Sequence, residues 1–156
     1  MPQTTPRPQP AHGAAPRQRS ADAAVGYAAD HAGHGIAYVA IGTGTGSTVV
    51  KLSFTATPLV ALDGRENGYA AVAAAGAYLR SRGFTRVRLR LADEWLVDDL
   101  NARTLVPPAL AMAYVKTRCI LHGFAVARVE RGEPIETHDL ENRARAEAAL
   151  RPAAAA

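Results

Sequence analysis

Residues 63–101 read DGRENGYAAVAAAGAYLRSRGFTRVRLRLADEWLVDDLN and decide the fold. The first part, 66–82, is rich in alanine and spaces its larger apolar residues along one face of a helix, which Gly83 is well placed to end. Residues 85–91 then alternate valine or leucine with arginine, as a half-buried strand does. A second helix is predicted to begin at Asp93, a favoured N-cap residue. Helix, strand and helix in close succession predict an α/β fold.

Strands are predicted on both sides of this unit. Residues 36–42 form a nearly continuous apolar run, which is typical of a central buried strand. Residues 48–56 alternate apolar and polar side chains, and 58–63 complete a three-stranded antiparallel meander. The other predicted elements are a helix over 107–122, a strand over 124–129 and a helix over 139–150. We expect the strand at 36–42 to be parallel to those at 85–91 and 124–129, through right-handed crossovers.

The composition sets broad limits on function. The chain has 156 residues and a formal net charge of +4, and 16 of its 18 basic residues are arginine. This length suffices for one domain, and the charge permits nucleic-acid binding without demonstrating it. Cys119 is the only cysteine. It excludes an internal disulfide, fits a reducing compartment, and is interpreted as a small buried side chain. Without an apolar segment of membrane-spanning length or a signal sequence, we expect a cytoplasmic protein with no membrane partner.

The domain boundaries follow from local composition. Residues 1–35 are predicted to be a flexible arm rich in proline, alanine and arginine, because five of the ten prolines lie within 1–19. The one regular element expected in this arm is a short helix over 20–34, capped by Ser20. The folded domain is expected over 36–150, and 151–156 form a disordered tail.

Three segments carry a resemblance to a known family. They are ENGYAAVAAAGAYLRSRGFTRVRLRLADEWLVDDLN (66–101), LAMAYVKTRCILHGFAVARVER (110–131) and Asn142 followed by RARAEAAL. Together with the order of elements, they resemble the ribonuclease H-like family, which includes type 1 ribonuclease H and the ribonuclease H domain of reverse transcriptases. The resemblance implies a five-stranded mixed sheet flanked by helices. It also implies two magnesium ions, held by four carboxylates, that cleave the RNA strand of an RNA–DNA hybrid.

This sequence departs from that family at most of the metal-binding positions. The four carboxylate positions fall on Ile41, Gly68, Asp93 and Ala146. Asp93 alone is acidic, and it has a simpler interpretation as a helix cap. Glu66 and Glu147 lie near two of the lost positions and are the fallback candidates for a displaced site. We therefore predict no catalytic residues, no bound metal and no cofactor, with magnesium as the alternative.

Arginines near the family's substrate-binding segment are the candidate nucleic-acid contacts. They are Arg65, Arg86, Arg88 and Arg90, and the arm adds Arg7, Arg17 and Arg19. Alternating arginines on a strand grip phosphates in some proteins, and in others they form a solvated face paired with carboxylates. Both interpretations of the strand arginines stay open at this point.

Three classes of function remain. The leading hypothesis is a catalytically inactive ribonuclease H-like domain that acts as a binding module for RNA, DNA or hybrid without sequence preference. The second is an active hybrid ribonuclease that uses Asp93 with displaced carboxylates. The third is a protein-interaction or structural subunit, with a protein partner or a homodimer and no nucleic-acid role. A phosphate-binding loop over 42–47 is disfavoured, because no lysine follows its last glycine and a strand comes next.

Overall fold

The computed structural model describes residues 17–59 and 63–151. Its strands are β1 (Ser20–Ala29), β2 (His34–Thr43), β3 (Gly46–Thr55), β4 (Arg86–Leu91) and β5 (Val126–Arg131). Its helices are α1 (Arg65–Ser81), α2 (Glu94–Leu100), α3 (Ala111–His122) and α4 (Pro134–Leu150), with a 3-10 turn over Pro108–Leu110 before α3. The strands form one sheet in the order β3-β2-β1-β4-β5. The predicted five-stranded mixed sheet flanked by helices is confirmed.

The pairing places β1 at the centre of the sheet. It is antiparallel to β2, which is antiparallel to β3, so these three strands form the meander. On its other side β1 is parallel to β4, and β4 is parallel to β5. The carboxyl ends of three parallel strands therefore meet at one edge of the sheet, where α/β folds commonly place their functional residues.

The meander begins earlier in the chain than the sequence analysis predicts. Residues 20–29, assigned there to a short helix, form β1. The run 36–42 lies in β2 and is antiparallel to β1, so the prediction that it is parallel to the later strands is wrong. Of the third predicted strand, 58–63, residues 58 and 59 have no regular structure, and 60–62 lie outside the described residues. The folded part of the chain thus includes Ser20 and does not begin at residue 36. Most of the predicted arm (1–16) and of the tail (152–156) also lies outside the described residues.

Small residues in β1 let helices approach both faces of the sheet. Ala23 and Val25 are buried in the main core with α1, whereas Gly26 lies under α4. A Cβ added at Gly26 would lie 2.4 Å from the backbone nitrogen of Glu141, so the two backbones are nearly in contact. Successive residues of a strand point to opposite faces. Accordingly, α4 covers one face of the central strands, and α1 covers the other.

The main core lies between the sheet and α1. It includes Tyr69, Val72 and Leu79 of α1, together with Leu89 of β4 and Leu96 of α2. Helix α3 packs mainly on α1, and only Thr117 and Leu121 of its residues are buried. Cys119 is exposed, so the prediction that it is a buried side chain is wrong.

Most helices lie where the sequence predicts them. The predicted helix from Asp93 is α2, and 107–122 contains the 3-10 turn and α3. The last helix begins at Pro134 rather than at residue 139, with proline in the first turn, where its missing N–H is not needed. Among the helices of the described residues, none is both long and apolar enough to cross a membrane.

Candidate functional site

Asp93 lies at the carboxyl end of β4, immediately before α2. It occupies the N-cap position of that helix, but its side chain makes no capping hydrogen bond. Instead, the hydroxyl of Tyr27 donates a hydrogen bond of 2.6 Å to Oδ2 of Asp93. The parallel register explains this contact, because Val25 of β1 lies beside Leu91 of β4. Two residues further along each segment are Tyr27 and Asp93. Asp93 therefore has the predicted cap position at the start of α2, but its side chain does not cap the helix.

Tyr27 is held in its protonated form at this position. Burial, followed by the negative charge of Asp93 and the hydrogen bond to it, raises the pKa of the Tyr27 hydroxyl far above its ordinary value. Glu141 of α4 adds further negative charge near the same hydroxyl. A phenol that stays protonated is a donor, and an ionised carboxylate only accepts, so the pair is chemically complementary.

Gly68 of α1 completes the contact. A Cβ at this position would lie 2.7 Å from the Tyr27 hydroxyl, 2.9 Å from Cη2 of Trp95 and 3.0 Å from Cδ2 of Leu96. No side chain fits at Gly68 without displacing these groups. Arg65, one turn earlier on the helix, stacks over the Trp95 ring at 5.3 Å from its centroid. The space beside Gly68, the residue that the sequence resemblance matched to the family's helix carboxylate, is thus filled by Tyr27 of β1.

Glu66 and Glu147 do not join Asp93. Glu66 is 6% exposed and accepts a hydrogen bond of 3.0 Å from the backbone N–H of Leu59. Its Oε2 is buried and finds no partner within 17–59 and 63–151. Glu147 forms an ion pair of 2.9 Å with Lys51 of β3. Strand β3 lies three positions from β4 in the sheet, or about 14 Å at the usual strand spacing.

The first strand offers no carboxylate at this edge either. Ile41 was assigned the first-strand position, but it lies in β2, so that assignment is wrong. β1 contains one acidic residue, Asp22, and Asp22 lies beside Arg88 in the register. Arg88 precedes Asp93 by five residues, which is about 16 Å along a strand. In α4, Ala146 is exposed, and the residues that lie against Gly26 are Leu140 and Glu141.

The residues present do not fit a two-magnesium centre. Magnesium requires several oxygen ligands, and two-metal chemistry requires carboxylates that converge on ions about 4 Å apart. In the part of the chain that the structure describes, no group of three or more His, Cys, Asp or Glu side chains is arranged to hold a metal ion. Asp93 is bound to a tyrosine, and the two fallback carboxylates lie elsewhere.

The strand arginines are mostly paired with carboxylates. Arg88 contacts Glu130 at 2.7 Å and Asp22 at 3.5 Å. Arg90 donates to Asp22 at 2.6 Å and forms a second ion pair with Glu136 of α4. The geometry therefore favours the second of the two interpretations, a face of paired charges, for these two residues. Arg86 donates instead to the side chain of Gln18, and Arg65 lies at the Asp93 end of the sheet.

Solved structures with this arrangement of elements include RNase H1 from the halophilic archaeon Halobacterium salinarum NRC-1. It aligns with a TM-score of 0.66 and 19% sequence identity over 83% of this chain and 97% of its own. The chain has the ribonuclease H-like fold. The N-terminal RNase H domain of Rv2228c from Mycobacterium tuberculosis aligns with a TM-score of 0.65 and 14% identity, over 85% and 95% of the two chains. LC11-RNase H1, solved in complex with an RNA/DNA hybrid, aligns with a TM-score of 0.60 and 18% sequence identity, over 83% of this chain and 99% of its own.

The likeness is one of structure. No protein-family model matches the sequence, and a comparison with curated proteins gives no significant match. At identities below one fifth, the ribonuclease H-like fold is established, but the active-site residues of the similar proteins do not transfer to this chain without their own evidence.

Sequence reasoning found Asp93 and Gly68 but missed two residues of the site. Tyr27 was missed because β1 was assigned to a helix, and Glu141 because the last helix was aligned too late in the chain. The available signal was the alternation of small and larger residues over 24–27, together with Pro134 as a helix start.

Proposed function

We propose that this ribonuclease H-like domain binds nucleic acid and does not hydrolyse it. The observation that carries the proposal is the hydrogen bond from Tyr27 to Asp93 beside Gly68. Two-metal hydrolysis needs several carboxylates at this edge of the sheet. Here the one retained carboxylate is bound to a phenol, and the helix position next to it has no room for another.

The same change favours an approaching polyanion. A cluster of unpaired carboxylates repels phosphates unless metal ions offset the charge. In this domain the carboxylate of Asp93 accepts a hydrogen bond from Tyr27, and Arg65 lies on the ring of Trp95, two residues after Asp93. The chain as a whole carries a net charge of +4. LC11-RNase H1, which shares the fold, was solved with a bound RNA/DNA hybrid.

We expect the binding to be independent of sequence. Contacts from arginine to phosphate fix position without reading bases, and affinities of this kind are typically about 10⁻⁴ to 10⁻⁶ M at physiological salt. The ligand class is therefore RNA, DNA or hybrid, recognised through its backbone. Neither a cofactor nor a metal ion is part of this proposal.

The experiment measures binding and hydrolysis on one sample. A fluorescently labelled RNA–DNA hybrid is titrated with the full chain in low salt, with magnesium or manganese present, and the RNA is then analysed on a denaturing gel. We expect the anisotropy to rise and the RNA to remain intact. Cleavage that is lost in Asp93→Asn, but kept in the matched control Asp98→Asn on the same helix, would identify an active ribonuclease instead.

A protein-interaction role is the second candidate, and one observation favours it. Helix α3 exposes Met112 at 80% and Val115 at 51%, which is unusual for apolar side chains on a packed helix. Light scattering at two protein concentrations tests whether this face joins two copies of the chain. A stable dimer whose formation is unchanged by added polyanions, together with no affinity for nucleic acid, would support this candidate over the first.

A further inference from the structure

A second cleft lies at the opposite end of the sheet from Asp93. It has a volume of about 300 Å³ and lies between the turn that joins β2 to β3 and the end of α1. Arg86, at the adjacent start of β4, precedes Asp93 by seven residues, or about 23 Å along a strand. The cleft is therefore separate from the candidate site described above.

The charged side chains that line this cleft are arginines. Arg19 and Arg82 are both exposed, and no aspartate or glutamate is among the described lining residues. This differs from the outer face of β4, where Arg88 and Arg90 are paired with carboxylates. The positive charge at the cleft is thus not compensated by a lining carboxylate, which is the electrostatic condition for binding an anion.

Two aromatic rings hold the arginines in place. The guanidinium carbon of Arg19 lies 4.7 Å from the centroid of Phe84, and that of Arg82 lies 6.0 Å from the centroid of Tyr78. Arg19 also donates a hydrogen bond of 2.5 Å to the backbone carbonyl of Arg82. A guanidinium plane or an aromatic ring offers a flat surface on which an unpaired base can stack.

The remaining wall of the cleft supplies hydroxyl groups. It is formed by the β2–β3 turn and the strand residues beside it, and its lining residues include Thr43, Thr45, Ser47 and Thr48. The hydroxyls of Thr43 and Thr45 share a hydrogen bond of 3.1 Å. Hydroxyls and guanidinium groups donate hydrogen bonds to phosphate and sugar oxygens.

We propose that this cleft binds one nucleotide of single-stranded nucleic acid, with the phosphate on Arg19 and Arg82 and the base against the stacked Phe84 or Tyr78. The inference rests on the proposed function for the class of ligand and adds where and in what form it binds. A cleft of this size admits an unstacked nucleotide. A paired base would first have to leave its duplex, so the cleft favours single strands.

The test compares two double variants in binding to a labelled oligothymidylate of about twelve nucleotides, within the usual length of a single-strand site. Arg19→Ala with Arg82→Ala removes two charges at the cleft. Arg143→Ala with Arg145→Ala removes two charges on α4 and is the matched control. We expect the first pair to lower the affinity about tenfold or more and to reduce the magnitude of the salt slope by about 1.4. The control pair should change the affinity less than twofold.

Single variants separate binding from folding. Arg82→Ala leaves the backbone carbonyl that Arg19 contacts, so the end of α1 keeps this interaction. Its melting temperature should stay near that of the unaltered chain while its affinity falls, and Arg82→Lys should retain most of the salt slope.

The outcomes distinguish this inference from the proposed function. If the unaltered chain binds the oligonucleotide and the cleft variants bind equally well, the cleft assignment is overturned and the proposed function stands. If the unaltered chain binds no nucleic acid even at low salt, the proposed function fails and this inference fails with it.

Discussion

Tyr27 and Asp93 form a pair in which each residue depends on the other. A half-buried carboxylate needs hydrogen-bond donors or a cation, and a phenol in the same place needs an acceptor. The contact of 2.6 Å meets both needs without a metal ion. The pair therefore contributes to folding at a position where the family pattern places catalytic groups, and stability measurements can detect it.

Tyr27→Phe removes the hydroxyl and keeps the ring. We expect the free energy of unfolding to fall by about 1–2 kcal/mol at neutral pH, because hydrogen bonds to charged groups contribute about 1.5–3 kcal/mol and this pair is partly exposed. Urea unfolding followed by circular dichroism measures the change. Tyr38→Phe on β2 is the matched control and should be nearly neutral. An equal effect of both substitutions would mean that the bond to Asp93 contributes nothing specific.

The pH dependence of stability gives an independent measure of the same pair. The pKa of Tyr27 is raised, first by burial and then by Asp93, and that of Tyr69 by burial and by its bond to Asp99. Because the folded-state pKa is raised, the protonated hydroxyl contributes stability that is complete below the unfolded pKa of about 10. That contribution is lost as the pH rises above this value.

We therefore expect the free energy of unfolding to fall above pH 10, by at most about 1.4 kcal/mol per pH unit for each tyrosine. Urea unfolding between about pH 8 and pH 11 would show this loss, and Tyr27→Phe should make it shallower. Comparison of the two proteins cancels the contribution of lysines and arginines that titrate in the same range. Parallel curves for both would contradict the assignment of the loss to Tyr27.

At the level of secondary structure, the contact between β1 and α4 depends on the absence of a side chain at Gly26. A Cβ there would lie 2.4 Å from the backbone nitrogen of Glu141 and 2.6 Å from the Cβ of Leu140. The contacts are with backbone and with the root of a side chain, so rotation of a flexible group cannot relieve them. The helix itself would have to move away from the sheet.

Gly26→Ala should lower the free energy of unfolding by about 3 kcal/mol, the upper part of the range for overpacking. Gly42→Ala, on the neighbouring strand, is the matched control, because its nearest neighbour is a backbone oxygen at 3.6 Å. That substitution should be neutral or slightly stabilising. Chemical denaturation of both variants tests the pair of expectations, and a mild effect at Gly26 would show that α4 packs more loosely than described.

The sequence predicts α1, β4 and α2 well because local rules and tertiary packing agree there. Gly83 has a positive φ of 81° at the end of α1, as the helix-stop pattern requires. β1 is different, because Ala23 and Ala24 are good helix formers that the sheet uses for their small size. Their strand conformation comes from packing between two helices, which the helix propensity of alanine does not reveal. Asp93 and Gly68 were found from the family pattern, but Tyr27 depends on the register of β1 with β4.

For the molecule as a whole, two groups of arginines have different electrostatic environments. Arg88 and Arg90 lie within a network with Asp22, Glu130 and Glu136 on the outer face of the sheet. The arginines of the cleft at the β2–β3 turn have no carboxylate among its described lining residues. Counterion release depends on cations that reach phosphates, so net charge alone does not predict the salt dependence of binding.

The double variant Arg88→Ala with Arg90→Ala tests whether these ion-paired arginines contribute to stability, to nucleic-acid binding or to both. The loss of both guanidinium groups leaves three carboxylates facing one another across β1, β5 and α4. We expect the free energy of unfolding to fall by about 1–3 kcal/mol, because Arg90 is only 22% exposed.

The salt slope for binding a single-stranded oligonucleotide should stay within about 0.5 of that of the unaltered chain, because these charges are already compensated. Titrations at several salt concentrations measure the slope, and urea unfolding measures the stability. A slope reduced by about 1.4, as expected for two lost phosphate contacts, would show that these arginines leave their ion pairs to bind nucleic acid.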